Sequence, residues 1–368
     1  MYYFDNAAST KVLDDAAKAA LDVMLNFYAN PSSIHRFGLE TEEIISSCKK
    51  TLSYIFNRKK EEFIFTSGAT ESINLAILGI CKKNNKRRKI ITSSVEHKAT
   101  KNCLKHLEQK GYEIVEINTK NNRFYAKDFV DAADENTLII SIMHVNNENG
   151  LILPIEEIAE KIKEKDKNII VHIDAAQSFL KIPISLKNID LLSACGHKIN
   201  APKGIGFLFI NREISISSIM FGGEQENKIR PGTQATALIR AFEVAIKHHF
   251  KNQSKHLIQY ENLKKTLLEN LKNSEGIHFN FNDECVPYIV NISIEKFRSQ
   301  VVLQFLEEKG FFVSSGAACS KNRKNKVLLA LGYPQNIADS AIRISFGIDS
   351  KIEDIIKLAE TIQLLARR

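Results

Sequence analysis

The chain has 368 residues, 44% hydrophobic and 26% charged, enough for about two domains with real cores. Its formal net charge is +8, and no apolar run approaches the roughly 20 residues of a membrane-spanning helix. The six cysteines form no C-x-x-C pair and no His/Cys spacing of a zinc site, so they point neither to a metal nor to a disulfide framework.

The first residues, Met1-Tyr2-Tyr3-Phe4-Asp5, lack the basic start and apolar stretch of an export signal, so the expected compartment is the cytoplasm, with reduced thiols. Strands and helices then alternate. Residues 62–66 read as a strand and 71–81 as a helix, then 89–92 as a strand and 98–109 as a helix. Further strands fall at 112–117, 137–144, 168–173 and 204–210. The run Leu138-Ile139-Ile140-Ser141-Ile142-Met143 is almost continuously apolar, as a strand buried on both faces should be. Such alternation predicts an α/β fold, a mostly parallel sheet with helices on both sides. A helix over 234–249 closes that layer, and a polar helix over 254–272 follows. Strand 287–293, helix 299–309, strand 311–313, helix 326–331, strand 342–346 and helix 352–366 then suggest a smaller α+β unit. Cys48, Cys81 and Cys103 fall within helices and read as small core residues.

Two basic clusters stand out, 82–89 and 321–326. The first is a solvated face or a docking patch for an acidic partner. Without interleaved aromatics it predicts no specific nucleic-acid binding.

Four strand ends carry polar groups, and strand ends are where ligands bind in open α/β sheets. In Thr66-Ser67-Gly68-Ala69-Thr70, small residues let backbone N–H groups approach a phosphate at a helix N-terminus, while Thr70 adds a hydroxyl or simply caps the helix. In Ser94-Val95-Glu96-His97, the histidine is a surface residue or a ring that stacks on an aromatic compound. In His172-Ile173-Asp174-Ala175-Ala176-Gln177, Asp174 is a carboxylate ending an apolar strand, which needs a cationic partner unless it caps a helix. In Cys195-Gly196-His197-Lys198, the lysine is a solvated loop residue or an amine able to form a Schiff base. Each has a bland reading alone. Together they specify a site for pyridoxal 5′-phosphate (PLP): a phosphate cup, an acid for the pyridinium nitrogen and a Schiff-base lysine.

Past the strand at 311–313 comes Ser314-Ser315-Gly316-Ala317-Ala318-Cys319-Ser320. Residues this small cannot fill a core, but they give a thiol room and access, so Cys319 reads as a nucleophile. Cys195, ending an apolar strand, reads as packing rather than as a second nucleophile.

With these motifs the sequence resembles the cysteine desulfurases of aminotransferase class V, from Phe4 to about Phe346. The resemblance rests on Tyr3-Phe4-Asp5-Asn6-Ala7-Ala8-Ser9-Thr10, on Asn30-Pro31-Ser32-Ser33-Ile34-His35-Arg36-Phe37-Gly38 and on the 66–72 turn. It continues through Glu96-His97, Val145-Asn146-Asn147-Glu148, Asp174 to Gln177, Gly196-His197-Lys198, Arg230-Pro231-Gly232-Thr233, the Cys319 run and Arg343. The Cys319 run is similar to that of the housekeeping, iron–sulfur-cluster branch.

The resemblance implies the PLP-dependent transferase type I fold. On it, residues 11–252 would form the large PLP-binding α/β domain, and 1–10 with 253–368 the small α+β domain carrying Cys319. Lys198 would carry PLP and then abstract the substrate's Cα proton. Asp174 would pair with the pyridinium nitrogen, Gln177 with the phenolic oxygen, and His97 would stack on the ring and serve in proton transfer. Ala69 (by its N–H), Thr70 and His197 would hold the phosphate, and Thr233 would reach that of the other subunit of a homodimer. Asn147 and Arg343 would bind the carboxylate of L-cysteine. Cys319 would take its sulfur as a persulfide and pass it to an acceptor protein, an iron–sulfur scaffold or a tRNA-thiolation carrier.

The chain departs from that family at three points. Cys195 stands where many relatives have a serine on the phosphate, and a thiol is the weaker donor. Gly222-Gly223-Glu224-Gln225-Glu226-Asn227-Lys228 replaces a more glycine-rich segment beside the expected dimer contact, and the segment after Cys319 is short and basic. Two rivals remain from sequence: a PLP lyase or transaminase that ignores Cys319, and a sulfur-carrier scaffold with weak catalysis. A nicotinamide enzyme is excluded, because no G-x-G-x-x-G follows the first strand.

Overall fold

The computed structural model describes residues 1–84, 86–315 and 325–367. Strand β1 (Tyr2–Tyr3) is followed by two helices, α1 (Asp14–Asn26) and α2 (Arg36–Phe56). The alternating stretch then contains β2 (Phe63–Thr66), α3 (Ala69–Lys83), β3 (Lys89–Ser93), α4 (Lys98–Glu108), β4 (Glu113–Ile117) and α5 (Ala126–Ala132). It continues with β5 (Thr137–Met143), α6 (Ile155–Lys165), β6 (Ile170–Asp174), β7 (Leu191–Cys195) and β8 (Gly206–Ile210). These strands form one sheet in the order β2-β8-β7-β6-β5-β3-β4. Its pairs are parallel from β7 across to β4, and β8 runs antiparallel to both β7 and β2.

Side chains alternate across a strand, so a strand apolar throughout needs cover on both faces. Phe63 and Phe65 of β2 and Phe207 and Phe209 of β8 point into one core, shared with Leu52 of α2 and Ile158 of α6. Ile64 and Leu208, one step along the same strands, point into the other, under Ile77 of α3 and Leu104 of α4. Cys48, Cys81 and Cys103 are buried in α2, α3 and α4.

Helix α7 (Thr236–Leu271) is one uninterrupted 36-residue element where the polarity of 250–255 had suggested two. No proline or glycine breaks it, and His249, His256 and Tyr260 keep one side buried through the polar stretch. Its first half gives Phe242, Ala245 and Ile246 to the core of the large sheet. Its second half gives Leu263, Leu267 and Leu271 to a separate core.

That second core lies against a three-stranded antiparallel sheet, β12-β10-β9, built from β9 (Ile277–Phe279), β10 (Ile289–Ile294) and β12 (Ala341–Ser345). Around it lie α8 (Ser299–Glu308), β11 (Phe311–Phe312), α9 (Lys326–Ala330), α10 (Gln335–Ser340) and α11 (Ile352–Ala366). β1 pairs in parallel with β11, which brings Phe4 into this core. The chain then crosses to the large sheet, where Thr10 N–H donates to the carbonyl of His197 at 2.9 Å. Residues 5–9 therefore bridge the two sheets. Among the described residues no helix is long and apolar enough to cross a membrane.

One close approach shapes the sheet's edge. A Cβ on Gly206, at the start of β8, would lie 2.5 Å from the carbonyl oxygen of Ala194 and 2.7 Å from Cα of Gly68. Gly68 has φ +153°, a conformation side chains disfavour, and it starts the turn into α3. Gly206→Ala is expected to destabilise the fold by about 1–3 kcal/mol through overpacking. The urea denaturation midpoint measures this.

Candidate active site at the strand ends

The parallel strands β3, β5, β6 and β7, with β2, end on one edge of the sheet, and the loops leaving them carry the polar groups. Asp174 is the last residue of β6, held in register between Met143 of β5 and Ser193 of β7. Its side chain is buried, and its Oδ1 accepts a hydrogen bond from Ala176 N–H at 2.9 Å. Burial raises its pKa, while that N–H, His97 and Lys198 pull it down. His97 follows β3 and caps α4. Its Nδ1 accepts from Ala99 N–H at 3.2 Å, which leaves the neutral ring's proton on Nε2. Lost hydration lowers its pKa, and Asp174 opposes that shift.

Lys198 ends a single 3₁₀ turn, Gly196–Lys198, directly after β7. Its Nζ donates to the carbonyls of Ala7 and, at 2.7 Å, of Ala8. Burial lowers its pKa to about 8. Gln177 Nε2 donates to the same Ala7 carbonyl at 2.8 Å, so the bridging N-terminal segment gathers both side chains. Among the described residues, Gln177 Oε1 and His197 Nδ1 are buried without hydrogen-bond partners. Burial, then Lys198, brings the His197 pKa to about 4, so this imidazole is neutral at physiological pH.

Cys195 is fully buried, and burial pushes its thiol up to about 11. The Ala69 N–H, at the start of α3, is directed at that thiol. Thr70 lies beside it, exposed in the first turn of α3. Asn147 and Arg343 come together from opposite sheets. Arg343 Nη1 donates to the backbone carbonyl of Asn147 at 2.8 Å, while the Asn147 side chain turns to Glu148 Oε1 at 3.2 Å. Thr233 is exposed on the loop before α7, away from this cluster's hydrogen bonds. Cys319 lies outside the described residues.

Sequence reasoning passes over two charged groups that the fold brings here. Asp5 binds Arg343, Oδ1 to Nη2, at 2.7 Å. Lys181 is buried, with no hydrogen bond or ion pair for its Nζ among the described residues; the ring of Tyr288, 4.9 Å away, covers it. Burial, then Lys198, lowers its pKa to about 7. The signal for Lys181 was a lone lysine among Phe179, Leu180 and Ile182. Asp5 carried none beyond its place in a matched segment.

The arrangement combines the N-terminal turn of α3, a buried carboxylate and an amine that is partly neutral at physiological pH. A family model described as aminotransferase class V matches residues 2–358. The cysteine desulfurase IscS of Buchnera aphidicola subsp. Baizongia pistaciae is 38% identical over 375 residues, 99% of this chain and 91% of that one. A solved NifS-like protein superposes with a TM-score of 0.94 at 30% identity, over 100% of this chain and 99% of the other. A structure described as SspA in complex with cysteine gives 0.84 at 33% identity, over 94% of this chain and 99% of the other.

Proposed function

Because the chain belongs to aminotransferase class V, and within it to the cysteine desulfurases, we propose that it converts L-cysteine to L-alanine, holds the sulfur as a persulfide on Cys319 and supplies it for iron–sulfur clusters, tRNA thiolation or both. The observation that carries this reading is the convergence of Lys198 and Gln177 on the Ala7 carbonyl, beside the buried Asp174.

The residues present fit PLP. Among the described residues, Gln177 Oε1 and His197 Nδ1 are buried and unpaired, and the Asp174 carboxylate accepts one hydrogen bond. Asp174 would pair with the ring nitrogen, Gln177 with the phenolic oxygen, and His97 would contact the ring. Ala69 N–H, Thr70 and His197 would hold the phosphate with the Cys195 thiol beside them, and Thr233 would serve the partner's site. Bound through Lys198, the cofactor supplies an electron sink for charge developing at the substrate Cα.

The chain's own groups do the rest. Asp174 would keep a proton on the ring nitrogen. Lys198, with a pKa near 8 as a free amine, can both take the Cα proton and return it. Arg343 and Asn147 receive the substrate's carboxylate, a task suited to the guanidinium fork. The Cys319 thiolate attacks the substrate's sulfur. A sulfur–sulfur bond forms as the Cβ–sulfur bond breaks, and the carbon keeps the electron pair and takes a proton, leaving alanine. Cys195, buried and held as a neutral thiol, does not compete.

A homodimer is supported by Leu21, Met24 and Leu25 along α1 and Tyr28 just past it, all exposed. Lys321, Arg323, Lys324 and Lys326, just past Cys319 in sequence, suit an acceptor protein with an acidic face.

The purified protein, given L-cysteine and a thiol reductant, is expected to release alanine and sulfide in equal amounts. Pyruvate and ammonia in place of alanine would establish the lyase instead, and no turnover at all would leave the scaffold.

A further inference from the structure

Arg343 is the residue read above as the receptor for the substrate's carboxylate, and the structure already gives it a carboxylate. The residue is 5% exposed. Its backbone is fixed on both sides, against Asn291 of β10 and by a reciprocal pair of hydrogen bonds with Ser314 at 2.6 and 3.1 Å. With the backbone pinned, the guanidinium has little freedom to seek partners. Nη2 meets Asp5 Oδ1 and Nη1 meets the Asn147 carbonyl, at 2.7 and 2.8 Å. Among the described residues Nε is buried without a hydrogen-bond partner. A buried N–H without an acceptor is costly to leave so. This one therefore marks the edge of the fork as the donor with capacity for one more acceptor.

Asp5 is itself held firmly. Its backbone carbonyl accepts from Ala8 N–H at 3.0 Å and from the Tyr3 hydroxyl at 3.1 Å, and the residue bridges to Ser345. The next carbonyls in this segment, those of Ala7 and Ala8, hold Lys198. The carboxylate of Asp5 thus belongs to the rigid segment that also orients the amine. A lone guanidinium buried here would be unstable in the empty site; Asp5 is the carboxylate in direct contact with it, and the buried Glu148 is a second one close enough to interact. The charge on Asp5 repels a further carboxylate arriving at the remaining donors.

We propose that Asp5 is a built-in stand-in for the substrate's carboxylate on Arg343, which holds the fork in place when the site is empty and limits how tightly a carboxylate ligand binds. The proposal rests on the reading of Arg343 as the carboxylate receptor. It makes Asp5 a positioning residue that exchanges affinity for orientation. Neutralising it should tighten carboxylate ligands and slow turnover together, a pattern that a purely structural ion pair does not produce.

The test uses the PLP-loaded protein and two ligands, L-alanine and L-alaninamide, titrated by the change in cofactor absorbance. Asp5→Asn is expected to bind L-alanine about tenfold more tightly, a modest share of what like-charge juxtaposition costs, with L-alaninamide changed less than about twofold. For L-cysteine, KM and kcat are both expected to fall. Asp5→Glu, which restores the charge, is expected to undo the tightening, and a failure to do so would overturn the proposal. Arg343→Gln is expected to lose the preference for L-alanine over L-alaninamide. If that preference survives in Arg343→Gln, the assignment of Arg343 fails and the proposal with it. If it is lost there, but L-alanine binds Asp5→Asn no more tightly than wild type, the role of Asp5 alone is refuted.

Discussion

Lys198→Ala is expected to lower alanine formation from L-cysteine by at least about 10³-fold, because in the proposed mechanism one change removes both the covalent anchor and the base. Borohydride reduction followed by mass spectrometry should find the cofactor fixed to Lys198 in the wild type and nowhere in the variant. The same residue predicts a pH dependence for loading the apoprotein. Only the neutral amine attacks an aldehyde. With a pKa lowered to about 8, loading should accelerate as pH rises towards 8 and level off above it. An ordinary lysine, with a pKa of about 10.4, would keep accelerating towards pH 10. The rise of the cofactor's absorbance after mixing measures this, and a limb near pH 10 would mean that burial does not tune the amine.

Cys319→Ala separates the chemistry at Cα from the transfer of sulfur. Sulfide and alanine production should again fall by about 10³-fold or more, since water is no substitute for a thiolate aimed at sulfur. The absorbance change on adding L-cysteine should persist, because in the proposed mechanism Lys198, Asp174 and Arg343 act without the thiol. Mass spectrometry of wild-type protein after one turnover should find one extra sulfur on the peptide containing Cys319 and none on that containing Cys195. Wild-type turnover by Cys319→Ala would show that the sulfur leaves by another route.

The sequence disclosed the large sheet because its strands are buried on both faces, and β5 and β8 have little choice but to be apolar along almost their whole length. It disclosed the strand-end groups because Asp174 and Lys198 are residue types that an apolar strand would not otherwise end on. α1 was not legible, since Leu21, Met24 and Leu25 face outward and its buried side is made of Ala16, Ala20 and Val23, too small to write a clear stripe. The division of α7 failed for the opposite reason. Local polarity suggested a break, but the buried histidines and Tyr260 carry the contact across it. The ion pair of Asp5 with Arg343 joins residues 338 positions apart, and no local pattern encodes such a pairing. The environment of Lys181 depends in the same way on Tyr288, from another part of the chain.

The unbroken α7 has a mechanical consequence. At about 1.5 Å per residue its 36 residues make a rod of about 54 Å whose two halves are each embedded in a different core. Swinging one sheet against the other would mean bending that rod, and the N-terminal segment laced between Ser345 and His197 resists the same swing. The frame is braced twice. Relative motion of the two sheets is therefore resisted at two places, and substrate entry is expected to leave their spacing unchanged.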